Sequence, residues 1–262
     1  MKDVKKSIKK RQLWVVKIGS QLVIDGGPLL LKSLLDQVVQ LQKNGVDVIW
    51  VTSGAIATAR NKMARSWKTL PEKQALSALG QPLLMELYTW GFHAVGKECA
   101  QVLLSATDFK KKQSRVNLTN TLKTLISWGV TPILNENDAV STDEIQFGDN
   151  DFLSALVASE VGADQLVILT NVDAIYDRPP TQEGAVRFSV MEKISPSFLK
   201  KAEKFESSSM GRGGILSKLR AAKFAQSRGI PTWVVPGMSA NILSDVRQQQ
   251  SVGTFVPAVR RK

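Results

Sequence analysis

The sequence predicts an α/β protein built on an open, mainly parallel sheet sandwiched between helices. Three observations point there. Short apolar runs alternate with longer stretches whose apolar residues recur at helical spacing. Polar or glycine-bearing loops follow several of those runs, at Gly19-Ser20, Ser53-Gly54, Asn135 to Asp138, Thr170 to Asp173 and Pro236-Gly237. The 262-residue chain is 43% hydrophobic and 22% charged, the composition of a globular protein able to bury a substantial core. Strands separated by helices call for a parallel sheet covered on both faces.

The elements follow in chain order. Leu13 to Ile18 reads as a buried strand. Pro28 to Lys43 reads as a helix, with Leu31, Leu34, Leu35, Val38, Val39 and Leu41 on one side. Val46 to Thr52 is the next strand, Glu72 to Gly91 a helix and Gln101 to Ser105 a strand. Leu118 to Trp128 is a helix, Thr131 to Leu134 a strand, Asn150 to Val161 a helix and Gln165 to Thr170 a strand. Ile215 to Ser227 is a helix and Pro231 to Val235 a strand. Asp177 to Gly184, with Pro179 and Pro180, reads as a loop; Glu203 to Gly214 reads as a glycine- and serine-rich connection.

Charge and composition narrow the function classes. The net charge of +12 raises a nucleic-acid or membrane surface as partner. The basic residues cluster at the ends, however, in Lys2 to Arg11 and Arg260 to Lys262, so a pair of solvated tails explains them as well. An anionic small-molecule substrate is the next explanation, and no aromatic-rich RNA motif is present. Cys99 is the only cysteine, in an apolar stretch that suggests a core position, and no intrachain disulfide can form. His93 is the only histidine, which removes His-x-x-x-His zinc sites. No apolar run is long enough to span a membrane or serve as a signal-peptide core, and the reading is a cytoplasmic protein.

The chemistry-bearing residues stand at the strand exits, where open α/β sheets bind ligands. Two common nucleotide motifs are absent: no Walker A loop exists, and Gly211-Arg212-Gly213-Gly214-Ile215-Leu216 fails the dinucleotide pattern at its sixth residue. Lys17 ends an apolar run before Gly19. It either meets an anion or snorkels from a strand end. Thr52-Ser53-Gly54-Ala55 opens a helix and fits an anion site or a plain N-cap. Asn135-Glu136-Asn137-Asp138 carries more polarity than a turn requires. Its amides and carboxylates suit the ammonium and carboxylate of an amino acid. Gly148-Asp149-Asn150-Asp151 places two acids at a helix start, where they can hold lysines or cap the helix. Gly211 to Gly214 before Ser217-Lys218 can wrap phosphates, or be a flexible loop before a helix.

Taken in this order, Val16-Lys17-Ile18-Gly19-Ser20, Val51-Thr52-Ser53-Gly54-Ala55-Ile56-Ala57, Asn135-Glu136-Asn137-Asp138-Ala139-Val140, Phe147-Gly148-Asp149-Asn150-Asp151 with Leu153-Ser154-Ala155, and Gly213-Gly214 with Ser217-Lys218 and Ala221-Ala222 resemble the amino acid kinase family. The ending Ser251-Val252-Gly253-Thr254 also fits. The likeness runs over nearly the whole chain from about Leu13, and is strongest to members that phosphorylate the γ-carboxylate of glutamate.

The resemblance implies the αβα sandwich of that family in a single domain over residues 13–258. A basic tail, 1–12, would precede it and no PUA domain would follow. The N-terminal part would hold mainly glutamate and the C-terminal part mainly ATP. The implied reaction is ATP-dependent formation of γ-glutamyl phosphate, the first step of proline synthesis. Acetylglutamate or carbamate as acceptor, or a regulator that binds nucleotide without catalysis, remain alternatives. Lys17 and Lys218 would neutralise the transferring phosphoryl group, Asp151 would orient both, and Asp149 would support the site. Ser53, Gly54, Asn135, Asp138 and Asn150 would hold glutamate. Lys17, Gly19, Thr170, Asn171, Arg212, Gly213, Gly214, Ser217 and Lys218 would contact ATP. Mg²⁺ would arrive with the nucleotide, with no metal held by the protein alone. The resemblance further implies a homo-oligomer, dimer or tetramer, with glutamate-5-semialdehyde dehydrogenase as a pathway partner. It argues against nucleic acid and membrane partners. Two departures stand on the nucleotide side: relatives have Asp where Asn171 stands, and Thr and Met where Arg212 and Ile215 stand.

Overall fold

The computed structural model describes residues 11–60, 63, 68–140, 149–206 and 214–259. Residues 1–10 and 260–262, which hold most of the basic termini, with Phe147-Gly148, Ser207 to Ser209 and Gly211 to Gly213, lie outside the described residues; Arg11 pairs with Asp47 at 2.7 Å.

The chain runs β1 (Gln12–Ile18), α1 (Ser20–Lys43), β2 (Val46–Val51), α2 (Ala55–Arg60), α3 (Leu70–Ala94), β3 (Cys99–Leu104), α4 (Ala106–Lys110), α5 (Lys112–Ser127) and β4 (Thr131–Glu136). It continues through α6 (Asn150–Val161), β5 (Gln165–Thr170), β6 (Ile175–Tyr176), β7 (Arg187–Phe188), α7 (Pro196–Glu206), α8 (Ile215–Ser227), β8 (Thr232–Pro236), α9 (Ile242–Arg247) and β9 (Thr254–Val256). A seven-stranded sheet forms in the order β3-β4-β2-β1-β5-β8-β9. Its pairs are parallel except β8–β9, which is antiparallel. Strands β6 and β7 make a separate antiparallel hairpin around the proline-bearing loop. The α/β fold with an open, mainly parallel sheet therefore stands.

Two apolar layers explain the strand sequences. Trp14, Val16 and Ile18 enter one core layer, with α1, α3 and α9; Val15 enters the other, with α5, α6 and α8. Strand β1 is buried on both faces, so its sequence shows no polar alternation. Period-two alternation puts Lys17 on the same face as Val15, the face that α6 and α8 cover.

Several boundaries differ from the sequence expectation, each for a local reason. Helix α1 begins at Ser20 rather than Pro28 and is broken at Gly27 (φ 55°, ψ −160°). Proline disfavours a helical residue before it, and glycine accepts the positive φ. The first segment buries Leu22 and Val23 under the sheet's ligand-facing end. Asn135 and Glu136 belong to β4 rather than to the loop after it. Cys99 lies on the edge strand β3 and is half-buried rather than fully in the core. Helices α4 and α9 and strand β9 are too short to show a clear period; α7 is amphipathic and takes in Glu203 to Glu206, which the sequence reading placed in a connection.

One close approach sets the geometry of the site. A Cβ on Gly80 of α3 would sit 1.8 Å from the Ala55 carbonyl oxygen at the start of α2. Only glycine lets α3 come that near the β2 exit. Gly80→Ala is expected to destabilise the protein by about 1–3 kcal/mol through overpacking. Thermal unfolding checks this; an unchanged melting temperature would contradict it.

Candidate active site

Chain connections run from β1 toward β2 on one side, and later cross to β5 on the other. That reversal makes the carboxyl ends of β1 and β5 the switch point where open α/β sheets form their crevice. A cleft of about 740 Å³ lies there. Lys17 and Gly19 from the end of β1, Ser53 and Gly54 after β2, and Asn135, Glu136 and Asp138 from the end of β4 line it. Asp149 and Asn150 at the start of α6, Thr170 and Asn171 after β5, and Gly214 and Lys218 at α8 complete these walls.

The centre of the cleft floor is an ion triad. Asp151, fully buried in the first turn of α6, stands with Oδ1 2.5 Å from Lys17 Nζ and Oδ2 3.2 Å from Lys218 Nζ. Ser217 donates its hydroxyl to the same Oδ2 at 2.8 Å. Lys218 also donates to the Gly214 carbonyl at 3.3 Å. Helices α6 and α8 meet through small buried residues, including Ala155, Ala158, Ala221 and Ala222, and through an edge contact of Phe152 on Phe224. Small residues let the two helices approach until Asp151 reaches across. Each lysine is more than nine-tenths buried, so the shared carboxylate is what makes both charges tolerable there.

Burial alone would push the Asp151 carboxyl above its ordinary 3.8. The charges of Lys17 and Lys218, with hydrogen bonds from Lys17 and Ser217, outweigh burial and hold it at about 2. A lowered folded value means that ionised Asp151 stabilises the fold above its unfolded pKa. That contribution is lost as pH falls from 3.8 through about 2. The melting-temperature gap between wild type and Asp151→Asn is expected to be largest near neutrality and to shrink across that window. A gap that stays constant into acid would contradict the assignment.

Beside the triad lies a network of side-chain amides. Asn150 Nδ2 contacts the Thr52 carbonyl at 2.7 Å, Ser53 Oγ at 3.0 Å and Asn135 Oδ1 at 2.7 Å. Asn135 Oδ1 also accepts from the Glu136 N–H at 2.9 Å, and Asn135 Nδ2 donates to Gln81 Oε1 of α3 at 2.7 Å. The β2 exit is braced from behind: buried Tyr88 of α3 bonds Thr52 Oγ1 at 2.7 Å and accepts from Trp50 Nε1 at 2.9 Å. Burial pushes the Tyr88 hydroxyl's pKa up, so it stays a neutral partner. Gly54 has φ 116°, a conformation that strains any other residue. Asp149 caps α6, its carboxylate accepting from the Phe152 N–H at 2.9 Å. Its observed contact is thus with the helix end.

A second cavity of about 270 Å³ adjoins the first at Thr170, Asn171, Gly214 and Lys218. Its further walls include Val172, Ala174, Tyr176, Pro179, Phe198 and Ile215. Of the residues that the sequence points to, Arg212 and Gly213 lie outside the described residues; every other one lines the cleft or contacts the triad. Sequence reasoning missed Gln81, which no local pattern marks, and Arg60 and Lys73, which line the cleft from α2 and α3. It also missed the apolar second cavity, whose residues are scattered over β6, α7 and the intervening loops.

Comparison with known proteins agrees with this arrangement. Residues 12–236 match the model of the amino acid kinase family. A glutamate 5-kinase of Thermoanaerobacter sp. (strain X514) is 41% identical over 251 residues, covering 93% of this chain and 67% of the relative. A glutamate 5-kinase of Meiothermus ruber is 40% identical over 253 residues, covering 95% of this chain and 67% of the relative. The chain therefore spans about two thirds of these relatives' length. In fold it is similar to the N-acetylglutamate synthase of Neisseria gonorrhoeae solved with coenzyme A and N-acetylglutamate. The TM-score is 0.68 at 12% identity, over 96% of this chain and 61% of that one. With the family match running from the first strand through β8, and the cleft at the sheet's switch point, this chain belongs to the amino acid kinase family.

Proposed function

We propose that this kinase transfers the γ-phosphoryl group of ATP to the γ-carboxylate of L-glutamate. The observation that carries the reading is the buried Lys17–Asp151–Lys218 triad, set between an amide-lined compartment and an apolar one. The relatives named glutamate 5-kinase support the choice of acceptor.

A γ-carboxylate oxygen attacks the γ-phosphorus. The new bond joins that oxygen to phosphorus, the bond to the bridging β–γ oxygen breaks, and ADP leaves with its electron pair. The acceptor is already ionised near neutrality, so no general base is required. Catalysis then rests on positioning and on charge. Lys17 and Lys218 face the charge that spreads over the phosphoryl oxygens, and Asp151 holds the two ammonium groups ready at a fixed separation. Ser53, Gly54, Asn135, Asp138 and Asn150 are assigned to glutamate. Gly19, Thr170, Asn171, Gly214 and Ser217, with Arg212 and Gly213, are assigned to the phosphates. The second cavity's mainly apolar walls suit the adenine ring. Among the described residues no cluster of three His, Cys, Asp or Glu side chains forms a metal cage. Mg²⁺ would arrive with the nucleotide and would offset the charge of its phosphates.

The test is ADP release by the purified protein with ATP, Mg²⁺ and L-glutamate, beside acetylglutamate, aspartate, carbamate and UMP. Turnover dependent on L-glutamate is expected. Turnover with another acceptor in its place would reassign the substrate. Nucleotide binding without turnover on any of them would contradict the kinase reading.

A further inference from the structure

One wall of the cleft carries two cations that the phosphoryl transfer does not use. Ile56 and Arg60 stand one turn apart on α2, and both line the cleft. Lys73 lines it from α3, on the stripe that Ser77, Gly80 and Gln81 continue at helical spacing. Gly80 fixes that stripe against α2, since its Cα faces the Ala55 carbonyl and the Ala59 side chain. Helices α2 and α3 pack on the sheet face that α1 covers, whereas α6 and α8, which carry Asp151 and Lys218, cover the other. The cleft therefore has cations on two opposing sides, across the carboxyl edge of the sheet.

The two sets differ in pairing. Lys17 and Lys218 share Asp151. Among the described residues, neither the Arg60 nor the Lys73 side chain makes an ion pair or a hydrogen bond, although Glu136, Asp138 and Asp149 line the same cleft. Lys73 is half-buried and Arg60 exposed. Unpaired cations on a concave wall concentrate the field that an anionic ligand meets. An acceptor whose γ-carboxylate lies at the triad has a second carboxylate at its far end, and a cation set on each side of the cleft matches that pair of charges.

We infer that Lys73, with Arg60, binds the α-carboxylate of the acceptor and thereby selects a dicarboxylic amino acid. The inference rests on reading the cleft as the acceptor site for L-glutamate.

The experiment uses L-isoglutamine, which keeps the γ-carboxylate and the amino group but has an amide in place of the α-carboxylate. It measures KM for L-glutamate and the inhibition constant of L-isoglutamine against it, in wild type, Lys73→Met and Arg60→Met, with a melting curve for each. Lys73→Gln takes the place of Lys73→Met if that variant does not fold. Wild type is expected to bind L-glutamate the more tightly. Each variant is expected to raise KM for L-glutamate about tenfold, the scale of one charge-assisted hydrogen bond. The L-isoglutamine constant, kcat and KM for ATP are expected to stay unchanged. Equal binding of the two compounds by wild type would overturn the inference. So would an unchanged KM for L-glutamate in the folded Lys73 variant, or an equal loss for both compounds, which a general attraction of anions would give. An unchanged KM in Arg60→Met alone would overturn the part given to Arg60. Absence of wild-type turnover with L-glutamate would instead overturn the reading on which the inference rests.

Discussion

Lys218→Ala is expected to lower kcat by about a thousandfold, while the protein stays folded and still binds ATP. The size follows from removing one preorganised charge from a water-poor site where phosphoryl charge develops. The retained fold follows from the geometry. Asp151 keeps Lys17 at 2.5 Å and the Ser217 hydroxyl at 2.8 Å, so its buried carboxylate remains paired after Lys218 is gone. Helix α8 also keeps its small-residue contact with α6. Steady-state kinetics with a parallel melting curve check both halves. A variant that retains a tenth or more of wild-type kcat would remove Lys218 from the transfer step.

Asp151→Asn is expected to damage stability more than Lys218→Ala does, and activity comparably. Asparagine has the same shape but no charge. Two buried ammonium groups then face each other without the carboxylate that made them tolerable. Breaking a buried ion pair from one side costs about 3–5 kcal/mol, and here one substitution breaks two. Fluorescence-monitored unfolding gives the stability difference. ATP is expected to raise the melting temperature of Asp151→Asn more than that of wild type, because its phosphates supply the missing negative charge. Equal shifts would show that the lysines do not reach the phosphates.

How far the sequence foretold this molecule depended on the range of the forces involved. The long strands and helices were legible because burial on both faces leaves unbroken apolar runs, and helical spacing marks α6 and α8 to their end residues. The start of α1 was not, because Pro28 looks like a helix start when it follows a break inside a longer element. Lys17, Asp151 and Lys218 drew notice as charges in apolar or glycine-rich contexts, and their joint role came from family resemblance. That they share one carboxylate is a property of α6 crossing α8, which no local pattern encodes. Gln81 was invisible for the same reason. A glutamine within a helix is ordinary, and only the approach at Gly80 makes it a partner for Asn135. Asp149 lines the cleft and also caps α6, the two roles its place at a helix start suggests.

The role proposed for the lysine triad is to move a phosphoryl group onto a carboxylate. The most direct measurement traps the product with hydroxylamine, which displaces phosphate from an acyl phosphate and leaves a hydroxamate. With ATP, Mg²⁺ and L-glutamate, γ-glutamyl hydroxamate is expected to form in step with ADP, and none from Lys218→Ala above background. ADP release without hydroxamate, or hydroxamate from another acid and not from L-glutamate, would contradict it.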